Sequence, residues 1–130
     1  MSGQKTYCRT QAMDEFMISR RVIEGYEELG LIRPTAKTDR GSYLYDEETF
    51  RRIGFIRLCQ KMGFELKDIL EFIDSCDEEI ERRFIEQSKL IRKQIMNLRF
   101  MLKMSRDLMN CENPRNSEKI LEIFREEKYL

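Results

Sequence analysis

Between Ser75 and about Asn110 the chain runs without a single glycine or proline. No other feature constrains the fold as strongly. Alternate steps of four and three from Phe84 meet Ser88, Ile91, Ile95, Leu98, Leu102, Ser105 and Met109, a mostly apolar seam of coiled-coil period. A helix over this stretch extends on the order of 50 Å at about 1.5 Å per residue. The residues before it make only a small head, which cannot cover so long a stripe. The helix therefore needs a partner, and the simplest is a second copy of the same chain. Ser75 and Glu78 have the spacing of a capping box at its start. Asn113-Pro114 ends it, and Ser117 then starts a last short helix with Ile120, Leu121 and Phe124 to bury.

Composition narrows the functional classes. A chain of 130 residues suits one compact domain, or a small domain plus a long helix. Charged residues at 37% against 41% hydrophobic fit helices with solvated faces rather than disorder. Residues 1–12 do not resemble a signal peptide, and no apolar run approaches spanning length, so a cytoplasmic protein without a membrane partner is expected. Lys+Arg and Asp+Glu cancel at 24 each; before Gly63 the counts are 11 basic and 9 acidic, after it 13 and 15. Any nucleic-acid partner must therefore be argued from where charges sit, not from their total. The four cysteines, Cys8, Cys59, Cys76 and Cys111, lie far apart, which disfavours a zinc site closed within one chain. The sequence has no histidine, glycine-rich phosphate loop, nucleophile elbow or acidic metal cluster. Neither an enzyme nor a cofactor is expected.

The head reads as short elements. Residues 1–8 are expected to be a disordered N-terminus, 9–74 the head, 75–110 the long helix, and 111–130 a loop and short helix. A helix from Thr10 to about Phe16 places Ala12, Met13 and Phe16 on one side. Ser19 is a suitable N-cap for a second helix, Arg20 to about Leu29, and Gly30 fits the left-handed position after it. Two short helices around a tight turn make a helix-turn-helix candidate. Asp39-Arg40-Gly41 marks the turn of a small hairpin. Asp46 can cap a third helix carrying Phe50, Ile53, Phe55, Ile56 and Leu58, with Glu47 and Glu48 opposing its dipole. A shorter helix with Leu66, Ile69, Leu70 and Ile73 follows "KMGF".

This order, together with "YEELGLIRP", "YDEETFRRIGFIR" and "MGFELKDILEFI", closely resembles the MerR family of bacterial transcription regulators. The resemblance covers roughly residues 9–110 and is most specific between Tyr26 and Ile73. It implies a mainly α protein: a winged helix-turn-helix head, a long dimerisation helix forming an antiparallel coiled coil, and a short C-terminal helix. It also implies a homodimer on palindromic promoter DNA, with RNA polymerase a further candidate partner. Candidate DNA-binding residues are Arg20, Arg21, Glu24 and Tyr26 on the second helix and Lys37, Arg40, Tyr43 and Tyr45 in the wing. Candidate dimer contacts are Phe84, Ile91, Ile95, Leu98, Leu102 and Met109. The chain departs from the family pattern at Glu24-Gly25, where an arginine and an aromatic usually precede Tyr-Glu. It departs again at Ser42-Tyr43, where Tyr-Arg usually follows the wing glycine. Met17 stands near the usual turn glycine.

Metal-sensing relatives carry one cysteine near the start of the dimerisation helix and two in a loop after it. Cys76 and Cys111 sit near two of these places, and the third thiol is missing from "CENPRNS". Aldehyde-responsive relatives have a cysteine close to Cys59. The alternative for all of these thiols is a small apolar packing residue. Two functional readings remain open at this point. One is a sequence-specific regulator; the other is a MerR-like protein whose head has lost base readout and serves as a protein-interaction module. Glu24, Gly25 and Ser42 favour the second, and Arg20, Arg21, Lys37 and Arg40 favour the first.

Overall fold

A computed structural model describes residues 5–126. The elements in order are β1 (Thr6–Cys8), α1 (Arg9–Phe16), α2 (Arg20–Glu28), β2 (Ala36–Lys37), β3 (Tyr43–Asp46), α3 (Glu47–Lys61), α4 (Leu66–Phe72), α5 (Asp77–Met109), a 3-10 turn (Pro114–Asn116) and α6 (Lys119–Glu126). The chain is thus mainly α, with a small winged helix-turn-helix head and one long helix. It divides into two compact units between Arg83 and Phe84, so the head continues into the first turns of α5.

Local chemistry sets the head's helix ends. Met17 closes α1 in the left-handed region at φ 51, a conformation normally left to glycine. Two residues later the Ser19 hydroxyl accepts from the Val22 N–H at 3.2 Å and opens α2. Gly30, at φ 76, lets the chain leave α2. The Asp46 carboxylate accepts from the Thr49 N–H at 2.8 Å, capping α3, and that bond holds its carboxyl below the usual range.

The sheet has the order β1-β3-β2, antiparallel throughout. Its first strand corrects the expectation of a disordered start. Thr6, Tyr7 and Cys8 pair with Asp46, Tyr45 and Leu44. The Tyr7 ring stacks on Phe50 with centroids 3.9 Å apart. This strand is ordered by a partner nearly forty residues away in sequence, a register no local pattern contains. Residues 1–4 of the expected disordered segment lie outside the described residues.

Beneath the sheet and helices lies a core of Ala12, Ile23, Tyr26, Leu31, Tyr45, Ile53, Ile56, Cys59, Ile69 and Phe72, all essentially inaccessible to solvent. Arg52 ties the polypeptide after α2 to the end of α4. Its Nε donates to the Leu31 carbonyl at 2.6 Å, and its two terminal nitrogens donate to Asp74 at 2.8 and 3.1 Å.

The long helix starts one position later than the capping-box spacing suggests. Cys76, not Ser75, offers the carbonyl that accepts from Glu79 and Ile80. None of the 33 residues of α5 is buried. Phe84 and Ile91 are half-covered, whereas Ile95, Leu98, Leu102 and Met109 are exposed. In the second unit, the Ser117 hydroxyl accepts from the Lys119 N–H at 3.1 Å at the start of α6. The expected core of α6 is corrected: Ile123 is buried, while Leu121 and Phe124 are 53% and 64% exposed.

Candidate nucleic-acid interface

In the head, α2 and the β2–β3 hairpin form the walls of a groove. Arg20, Glu24, Glu27 and Glu28 line the α2 side, at the spacing that puts residues on one helical face. Lys37 through Tyr43 line the hairpin side, and Cys8, Arg9, Thr10 and Met13 close the end. The hairpin tip is fixed by its own bonds. The Thr38 N–H donates to the Ser42 carbonyl, and the Gly41 N–H donates to the Thr38 carbonyl, both at 2.8 Å. Gly41 takes φ 82 in this turn.

A chain of polar contacts crosses the groove floor. Arg20 Nε donates to Glu24 Oε1 at 2.9 Å, and Arg9 Nη1 reaches the same oxygen at 3.5 Å. Arg9 Nη2 donates to Glu27 Oε1 at 2.8 Å, and the Tyr45 hydroxyl donates to that oxygen at 2.6 Å. The Arg9 guanidinium lies 4.9 Å from the Tyr43 ring centroid, and Lys37 Nζ lies 5.1 Å from it. Burial opposes the charge on Arg9, but the bonds to Glu27 and Tyr45 outweigh it and raise its pKa. Burial, and then the bond to Glu27, push the Tyr45 hydroxyl up to about 12.

The candidate residues therefore separate. Arg20, Glu24, Lys37, Arg40 and Tyr43 are brought together around the groove. Arg21 is exposed one step round the helix and does not line it. Two tyrosines are corrected. Tyr26 is fully buried, with its hydroxyl donating to Gln60 Oε1 at 2.5 Å, and burial raises its pKa. Tyr45 is fully buried as well. Neither can reach a ligand in the groove. Tyr26 shares a helical face with Ile23, three residues before it, so its burial was foreshadowed in the sequence. Arg9 and Glu27 are the residues that sequence reasoning missed. Arg9 stands where the β1 strand passes into α1, and β1 had no sequence signal.

Among the described residues, no group of three or more His, Cys, Asp or Glu side chains is placed to hold a metal. Cys76 is exposed and Cys111 half-buried, in different compact units. Cys111 is engaged within its own turn: its Sγ donates to the Asp107 carbonyl at 3.2 Å and accepts from the Ser117 hydroxyl at 3.3 Å. Cys59 is wholly buried, and burial pushes its thiol up to about 11, which places it with the packing residues.

Known proteins share this architecture. HiNmlR, a MerR family regulator lacking the sensor domain and bound to promoter DNA in its crystal structure, superposes with a TM-score of 0.64 at 25% identity, over 76% of this chain and 80% of that one. The N-terminus of the Bacillus subtilis multidrug transporter activator has the same fold, with a TM-score of 0.65 at 23% identity over 81% of this chain and 99% of that one. In sequence, the mercuric resistance operon regulatory protein of Bacillus cereus is 28% identical over 115 residues, 75% of this chain and 86% of the relative. The nodulation protein NolA of Bradyrhizobium sp. (strain NC92) is 33% identical over 57 residues, and the match spans only 24% of its length. The family described as MerR HTH family regulatory protein matches residues 10–76, half of the chain, and the protein belongs to that family.

Proposed function

We propose that the chain is a homodimeric, sequence-specific transcription regulator that binds promoter DNA through the groove between α2 and the wing. The carrying observation is the disposition of Arg20, Lys37 and Arg40 along that groove, on a helix narrow enough for a major groove and a hairpin able to grip the flanking backbone. HiNmlR, with the same head fold, binds promoter DNA. In this reading α5 pairs with its copy in an antiparallel coiled coil, which sets two α2 helices at a fixed separation for successive major grooves on one face of the duplex. RNA polymerase at the same promoter is the further partner that the reading implies, and the cytoplasm is the compartment. Among the described residues, no helix is long and apolar enough to cross a membrane.

The test is selection of genomic fragments by the purified full chain. A recovered motif with two-fold symmetry is expected. No enrichment even at low salt would overturn the reading and favour the protein-interaction module instead.

A further inference from the structure

We propose, building on the DNA-binding reading, that Arg9 is a positioning residue of the interface, fastening the wing to α2 and offsetting the charge of Glu24 and Glu27, two of the three carboxylates that α2 turns into the groove. An anionic ligand entering the groove meets Glu24, Glu27, Glu28 and Asp39 as well as the basic residues. Left uncompensated, Glu24 and Glu27 repel phosphate from the same face on which Arg20 attracts it. Arg9 is the first residue of α1, directly after the strand that pairs with β3. From there its fork spans Glu24 and Glu27, at 3.5 and 2.8 Å, while its guanidinium lies over the Tyr43 ring of the hairpin. Lysine cannot reproduce this geometry, because a single ammonium has no planar fork to share between two acids and a ring.

The arrangement also governs Arg20. Arg20 and Arg9 share one oxygen of Glu24. With Arg9 supplying charge to Glu24, Arg20 can turn to phosphate without leaving a bare carboxylate behind. Without Arg9, Glu24 holds Arg20 back and Glu27 keeps only the Tyr45 hydroxyl.

The experiment compares wild type, Arg9→Met, Glu24→Gln and the double variant. Two quantities are read: amide exchange of the hairpin in the absence of DNA, and affinity for a scrambled duplex, where base contacts play no part. Arg9→Met should speed hairpin exchange and weaken binding by about tenfold, the scale of one lost charge-assisted bond. Glu24→Gln should gain about threefold more binding in the Arg9→Met background than in wild type while exchange stays fast, a coupling that a merely structural role for Arg9 does not give. Unchanged exchange in Arg9→Met, or an equal gain from Glu24→Gln in both backgrounds, overturns the proposal. Should Arg9→Met fail to fold, Arg9→Lys decides: charge is kept and the fork lost, so exchange quickens while binding stays near wild type, and wild-type exchange counts against the clamp. A wild-type protein that binds no duplex defeats the DNA reading, and the exchange arm then judges the clamp by itself.

Discussion

Two glycines show how the same residue type has opposite consequences in two helices. Gly25 lies inside α2, and a Cβ built there meets nothing within 4 Å. Gly25→Ala should therefore raise stability by up to about 1 kcal/mol, through lower unfolded-state entropy and better helix propensity. Gly54 lies inside α3, where a Cβ would stand 2.6 Å from Phe16 Cε1. That ring is also packed against Phe50, with centroids 4.8 Å apart, so it has little room to retreat. Gly54→Ala should cost about 1–3 kcal/mol. Urea titration of the two variants settles the contrast, and shifts of the same sign would contradict this account. Tyr45 gives a pH dependence at the same scale. Its folded pKa of about 12 exceeds the ordinary 10.0, so the fold prefers the protonated phenol. The resulting stabilisation, on the order of 2 kcal/mol, is fully present below pH 10 and is lost as pH rises toward 12. Cys59, raised to about 11, adds a loss of the same sign. Tyr45→Phe should flatten the alkaline decline in unfolding free energy, and a decline as steep as wild type would remove Tyr45 from the explanation.

At the scale of elements, the helices were legible in the sequence because their signals are local. Ser19, Gly30 and Asp46 each act within four residues of themselves, and each stands where its chemistry predicts. The strand β1 was not legible. Three residues carry no period, and its order comes from β3. The groove was half-legible for the same reason. Lys37 and Arg40 announce a wing by flanking a turn, whereas the contacts among Arg9, Glu24, Glu27 and Tyr45 join residues 15 to 18 positions apart and need the fold to exist first. Glu24 is the residue where the two kinds of information meet. The sequence places it where a base-reading side chain could stand, and a carboxylate there repels phosphate but can accept from cytosine N4. The structure adds that it restrains Arg20. Both effects disfavour non-cognate DNA. Glu24→Ala should thus strengthen binding to scrambled duplex and lower the selected-to-scrambled affinity ratio by about threefold or more, with a larger change at low salt. A ratio equal to wild type at two salt concentrations would show that Glu24 does not face the bases.

For the whole molecule the governing fact is that α5 has 33 residues and buries none of them. A monomeric soluble helix of this length ordinarily hides an apolar face against its own domain. Here Leu98, Leu102 and Met109 are each more than half exposed, and Ile95 is 43% exposed. From Ile95 to Met109 the seam that predicted a partner from spacing alone is thus a surface that the single chain leaves exposed. Its polar interruptions, Ser88 and Ser105, are small enough for close approach of a second helix. Charged substitutions at Ile95 and Leu98 place unpaired charge in such a seam, at a cost far above that of an exposed site. Ile95→Glu with Leu98→Glu should convert a dimer into monomers or aggregates in sedimentation velocity while the helix-turn-helix head keeps its fold. DNA affinity should then fall much more than the loss of one head's contacts explains, because two linked heads bind with a high effective concentration that separate heads lack. A wild-type chain that sediments as a monomer at micromolar concentration would refute the dimer, and the exposed face of α5 would then have to belong to a different protein.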